Sequence, residues 1–355
     1  MHRCRWTALG LAFFYIFFAA ASPPEWSGPR IEKYIKKKLR RNPTSLKINA
    51  KNIGDAGVRV LARSPLLKSV TRLVIYKAGM GDEGIRALAD SPQLGNLTSL
   101  SLENNSVTDE GVKILASSKT FSRLKTLNLY RNRIKDAGAV AIAESDILSG
   151  LIELNLNYNE IRDEGAIRLT TSPKLKNIQI IGLAYNPLGK DGEAAWHRFQ
   201  VIQKLKELHT QSQLEDMGKI ILGDIGVFAL LDLPYASNLT RLDLHGNGLS
   251  DNAVTALAQS PKLKQLTSLN LAQNNITDVG AIALARSETL SHLKKLNLNF
   301  NRIGDAGAKA IADSHNLSNL KSLKLGQNKI GSEGAAALQE SKHLTKLIHP
   351  IFGFY

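Results

Sequence analysis

The sequence predicts a curved α/β solenoid of about eleven repeated units, with parallel strands on the concave side and helices on the convex side. Three observations carry this expectation. A glycine, mostly within Asp-x-Gly, recurs every 27 residues at Gly57, Gly84, Gly111, Gly138, Gly165 and Gly192. After one seven-residue insertion the beat resumes at Gly226, Ala253 (in the glycine slot), Gly280, Gly307 and Gly334. Inside each unit a Leu-x-Leu alternation, the mark of a strand with one buried face, precedes apolar residues at helical spacing. Finally, the 355 residues contain a single cysteine, Cys4, which excludes a disulfide framework or a thiolate zinc site as the source of stability.

The chain opens on Arg3 and Arg5, then an apolar run from Thr7 to Ala21, with Ala19-Ala20-Ala21 preceding Ser22. That three-part layout is a secretory signal peptide over residues 1–21, and it directs the mature chain to the periplasm or the cell exterior. The alternative is an uncleaved membrane anchor, although the run falls short of the roughly 20 apolar residues a span needs.

Residues 22–43 form a basic capping segment. Arg30, Lys33, Lys36, Lys37, Lys38, Arg40 and Arg41 accompany an apolar stripe of Ile31, Tyr34, Ile35 and Leu39. An amphipathic helix here would cover the open end of a solenoid, and its cationic face also suits contact with anionic lipid. Nucleic acid is excluded as a partner, because the aromatics lack stacking spacing.

One unit shows how the array is built. From Leu151 it reads Leu151-x-x-Leu154-x-Leu156-x-x-Asn159-x-Ile161-x-Asp163-x-Gly165, followed by Ala166 and Leu169. Ser-Pro stops the helices at Ser64-Pro65, Ser91-Pro92, Ser172-Pro173 and Ser260-Pro261. A short strand or helix cannot bury its apolar face alone, whereas stacked units can. The pattern resembles that of leucine-rich repeat proteins, in the ribonuclease-inhibitor-like subtype, over residues 44–349. That resemblance implies a horseshoe-shaped, non-catalytic scaffold that binds a partner protein. The acidic tail of a Ran GTPase-activating member is missing, since the chain closes with a short tail over residues 350–355.

Asn105, Asn132, Asn159, Asn186, Asn247, Asn274, Asn301 and Asn328 share one column, where an amide can satisfy turn groups that leave the strand ladder. Asp55, Asp82, Asp109, Asp136, Asp163, Asp224, Asp251, Asp278 and Asp305 share another, at the start of each helix, where a carboxylate would cap free N–H groups. The histidines hold no metal-ligand spacing, and Asp243 with His245 lacks a nucleophile, so neither catalysis nor a metal or other cofactor is expected.

Function should lie where exposed positions differ between units. The columns beside and just after each Leu-x-Leu hold Tyr76, Glu103, Tyr130, Arg131, Tyr158, Tyr185, His245 and Phe300. Tyrosine and arginine are enriched at binding hot spots, which marks Tyr76, Tyr130, Arg131, Tyr158, Tyr185, His245 and Phe300 as candidate partner-binding residues. The irregular unit at 193–222, with Trp196, Phe199, Ile202, Leu205 and Leu208 at helical spacing, is expected to be a longer helix joining two subarrays. The net charge of +15 favours acidic partners, although the lysines outside the basic segment look scattered over loops.

Together these features describe a secreted, monomeric interaction module. The absence of disulfides in a secreted array fits a bacterial effector. The alternatives are a GTPase activator using Arg131 and an N-terminally anchored structural protein of the cell surface.

Overall fold

A computed structural model of the protein describes residues 27–49 and 51–348. The signal segment, residues 350–355 and His349 lie outside the described residues.

Among the described residues, ten short strands build two parallel sheets. The first contains β1 (Ser45–Asn49), β2 (Arg72–Tyr76), β3 (Ser99–Ser101), β4 (Thr126–Asn128), β5 (Glu153–Asn155) and β6 (Ile180–Gly182), ordered as in the chain. The second contains β7 (Arg241–Asp243), β8 (Ser268–Asn270), β9 (Lys295–Asn297) and β10 (Ser322–Lys324), with Asp216 adding an isolated parallel bridge to Asp243. Leucine meets leucine at all steps but one: Leu73 against Leu100, Leu100 against Leu127, Leu127 against Leu154, and Leu269 against Leu296, with Leu154 meeting Ile181 at the last step of the first sheet. Every one of these leucines is buried, so a slip of one residue would turn the stack outward.

Among the described residues, twelve α-helices pack behind the strands: α1 (Gly28–Leu39), α2 (Gly54–Arg63), α3 (Asp82–Ala89), α4 (Asp109–Ser117), α5 (Asp136–Ala143), α6 (Asp163–Thr170), α7 (Lys190–Thr210), α8 (Gly223–Asp232), α9 (Asp251–Gln259), α10 (Asp278–Ala285), α11 (Asp305–Ala312) and α12 (Ser332–Gln339). Most are 8 to 10 residues, nearer two turns than three. Curvature follows from spacing. Adjacent strands sit about 4.8 Å apart while packed helices need roughly 8–10 Å, so the helix side is longer and the strands line the concave face.

Polar columns hold successive units together. Asn159 donates from Nδ2 to the carbonyls of Leu129 and Leu156, and its Oδ1 accepts from the N–H of Ile134. Asn132, Asn274 and Asn301 repeat this bonding one unit apart. A serine column adds a second tie: Ser91, Ser145, Ser172 and Ser314 donate to the carbonyls of Ala62, Ala116, Ala143 and Ala285 in the last turn of the preceding helix. Ser64, in the first unit, has no preceding repeat helix, and its buried hydroxyl has no partner among the described residues.

The aspartates correct one expectation. They do not cap their own helices. Asp55 Oδ1 accepts from the N–H groups of Gly81 and Gly84, at the start of α3. Asp109, Asp136, Asp163, Asp278 and Asp305 likewise reach the next helix start, as Asp136 does with Arg162 and Gly165. Each carboxylate therefore caps its neighbour, and a helix-start interaction becomes an inter-unit staple.

The insertion breaks the stack. Helix α7 runs 21 residues and straddles two apolar cores, with Phe199 in the first and Val201, Leu205 and Leu208 in the second. No strand follows on β6. Instead the Trp196 indole N–H donates to the Ile181 carbonyl at 2.8 Å, filling the position that the next strand would have occupied. The second subarray then restarts like the first. Helices α2 and α8 both begin on a glycine at φ +57°, Gly54 and Gly223, whose N–H bonds forward to the carbonyls of Ala78 and Asn247.

Candidate protein-binding face

Residues on either side of each buried strand leucine face the concave side, and the chain then turns sharply before the asparagine column. That turn is left-handed in most units: Asn104, Arg131, Tyr158, Tyr185, Gln273, Phe300 and Gln327 all have φ between 54° and 58°. Asparagine or glycine adopts this backbone readily, while a bulky side chain there is uncommon. Tyr158 and Tyr185 occupy it in consecutive units.

The structure brings part of the candidate set together. The Tyr130 and Tyr158 rings lie 5.1 Å apart, tilted by 58°, and Tyr158 stacks on Tyr185 at 4.1 Å and 17°. Arg131 is exposed beside them. Exposure rises along the ladder, to 38% at Tyr158 and 72% at Tyr185, so most of the outer ring is offered to solvent. Partial burial in the stack, then the neighbouring Tyr185 hydroxyl, pushes the Tyr158 phenol above its ordinary value, which keeps it neutral.

The remaining candidates stand apart. Tyr76 is half-buried and separated from Tyr130 by Glu103, whose carboxylate takes hydrogen bonds from Ser101 and Asn128. Phe300 lies in the second subarray, 52% exposed, with no aromatic neighbour among the described residues. His245 belongs to a polar cluster. Its backbone N–H and its Nδ1 both contact Asp243 Oδ1, at 3.0 and 2.8 Å, and Asn270 donates to Asp243 Oδ2. Burial alone would raise the Asp243 carboxyl, but these bonds outweigh it and hold the group below its ordinary value. Gly218 lies in the preceding turn, where a Cβ would come about 2.1 Å from the imidazole, so a side chain there would push the ring out of its present position. Among the described residues no hydroxyl or thiol bonds the other ring nitrogen, and no group of three His, Cys, Asp or Glu side chains is placed to hold a metal ion.

Reasoning from the sequence missed a second concave feature. Lys294 and Lys321 are not scattered. With Arg241, Lys295 and Lys324 they line a groove of about 810 Å³ on the second sheet. The strand positions flanking each buried leucine carry the signal that would have found it.

The family model for leucine-rich repeats in pairs of copies matches residues 264–310, and a second leucine-rich repeat model matches 95–116, 123–143, 151–169, 235–258 and 316–338. The chain is a leucine-rich repeat protein. Proteins of this class typically mediate protein–protein interactions on a scaffold that is generally not catalytic. No curated protein matches the sequence. Among solved structures, an internalin (inlF) from Listeria monocytogenes is similar at 19% identity, over 89% of this chain and 93% of that one, with a TM-score of 0.26. The mouse RP105/MD-1 complex matches at 20% identity over 81% of this chain and 38% of that one, with a TM-score of 0.29.

Proposed function

We propose that the protein is a secreted, non-catalytic binding module that holds a partner protein on its concave face, with Tyr130, Arg131, Tyr158 and Tyr185 as the principal contacts. One observation carries the reading: two consecutive tyrosines occupy left-handed positions and stack into an exposed ladder instead of filling the core. Such a backbone costs a tyrosine about 1–2 kcal/mol, which ring stacking at most balances, so no net stability accounts for Tyr185 at 72% exposure. Secretion rests on the charged and apolar layout of residues 1–21. Among the described residues no helix is long and apolar enough to cross a membrane.

The experiment is affinity capture with the chain from Ser22 onward, then measurement of the captured partner's affinity for the quadruple alanine variant of these four residues. Truncating hot-spot aromatics and arginines costs about 2 kcal/mol or more, so the variant should bind at least roughly thirtyfold more weakly. Unchanged affinity would move the site elsewhere.

A further inference from the structure

The groove on the second sheet is asymmetric in charge. At its β7 end stand two carboxylates, and both are engaged: Asp243 by His245 and Asn270, and Glu215 by the Thr240 hydroxyl and the N–H groups of Thr240 and Arg241. Toward β9 and β10 the lining is cationic. Lys294, Lys295, Lys321 and Lys324 are all exposed, and none makes an ion pair or side-chain hydrogen bond among the described residues. Cations elsewhere are paired in a few places, as Lys113 is with Glu110 and Lys174 with Asp146, and what sets these four apart is their convergence on one concave groove.

Stacking fixes the spacing of these charges. Lys294 and Lys321 hold the same position in consecutive turns, since each donates its N–H to the carbonyl one turn back, at Thr267 and Lys294. Their backbones therefore lie about 4.8 Å apart, close enough for like charges to oppose folding unless an anion lies between them. At the far end Ile348 is 67% exposed, an apolar surface beside the cations.

We propose that this groove binds an extended peptide segment of a protein partner, with acidic side chains over Lys294, Lys295, Lys321 and Lys324, an aliphatic residue on Ile348, and a neutral or basic end over Glu215 and Asp243. From β7 to β10 the groove crosses three strand spacings, about 14 Å, which is four to five residues of extended chain. Alternate residues of such a chain are roughly 6.7 Å apart, wider than the roughly 4.8 Å between the two lysine-bearing turns, and the long lysine side chains can splay to meet two such carboxylates. A uniformly charged polymer such as a sulfated glycan fits less well, because it would also lie against the two carboxylates at the β7 end. This site is separate from the tyrosine ladder and does not depend on it.

Fluorescence anisotropy on the full chain tests the proposal, using a labelled ten-residue peptide with lysine near its N-terminus, alternating glutamates and one leucine. The glutamate peptide should bind at low salt, weaken as the ionic strength rises past about 0.1 M, and bind at least tenfold tighter than its glutamine counterpart. Lys294→Glu with Lys321→Glu should lose at least tenfold, and the milder Lys294→Gln with Lys321→Gln should move in the same direction while keeping native circular dichroism. Lys113→Glu, on the helix side, and the quadruple alanine variant of the tyrosine ladder should both stay within twofold of wild type. Several results would each overturn the assignment: equal binding of the glutamate and glutamine peptides, an equal loss in Lys113→Glu, or a sulfated hexasaccharide binding as tightly as the peptide. Absence of peptide binding at low salt would do the same.

Discussion

Within each subarray the signature glycines are there because of an aspartate one unit earlier, whereas Gly57 and Gly226, which open the two subarrays, meet Ile53 and Leu222 instead. A Cβ on Gly165 would sit 2.7 Å from Asp136 Oδ1 and 2.8 Å from Ile161 Cγ2. Gly165→Ala should therefore destabilise the array by about 1–3 kcal/mol, measured as a urea midpoint shift, although alanine is the better helix former. At Ala253 the slot already holds a methyl, and Asp224 bonds Ser250 through both N–H and hydroxyl. Ala253→Gly should cost no more than about 1 kcal/mol, so the reverse ranking of the two variants would refute the staple. Asn159→Ala strands the carbonyls of Leu129 and Leu156 and the N–H of Ile134, and should cost about 1–3 kcal/mol; an unchanged midpoint would show that the column is not structural. Asp243 gives a pH test. Its folded carboxyl lies below the ordinary value of 3.8, so its stabilisation is fully present above that pH and is lost as pH falls through the folded value. Asp243→Asn should be less stable than wild type at neutral pH, and the gap should narrow below pH 3.8. A gap that stays constant into acid would assign the bonds no ionic character.

At the scale of elements, α7 is the part that departs from repetition; it joins the subarrays by packing into both apolar cores, and its Trp196 hydrogen bond closes the edge of the first sheet. Trp196→Phe keeps the ring but removes the donor to the Ile181 carbonyl. It should cost about 1–2 kcal/mol and raise amide exchange selectively in β5 and β6; protection unchanged there would leave the indole as mere packing. The long helix itself was legible in the spacing of Trp196, Phe199, Ile202, Leu205 and Leu208. Its role at the sheet edge was not, because that bond depends on a strand being absent. Strand and helix positions followed from period alone, since Leu-x-Leu and the post-glycine alanines are direct records of burial. The aspartate partners were misassigned for a different reason: a residue at a helix start is equally near two sets of N–H groups, and only the stacking distance decides between them.

At the scale of the whole molecule, columns that tie units together face inward and columns that vary face the concave side, so stability and recognition reside in different residues. The tyrosine ladder was visible in the sequence as a column. The lysine groove was not, because only Lys294 and Lys321 share a column, while Lys295 and Lys324 sit at other offsets and join them only through the turn-to-turn register. The claim that the ladder is displayed rather than packed is tested most directly by the urea midpoint of the Tyr158→Asn, Tyr185→Asn double variant. Asparagine already occupies this left-handed column at Asn104. Relief of backbone strain should roughly offset the lost ring stacking, leaving the midpoint within about 1 kcal/mol of wild type. A loss of more than about 2 kcal/mol would show that the rings hold the array together and would contradict their assignment to a partner.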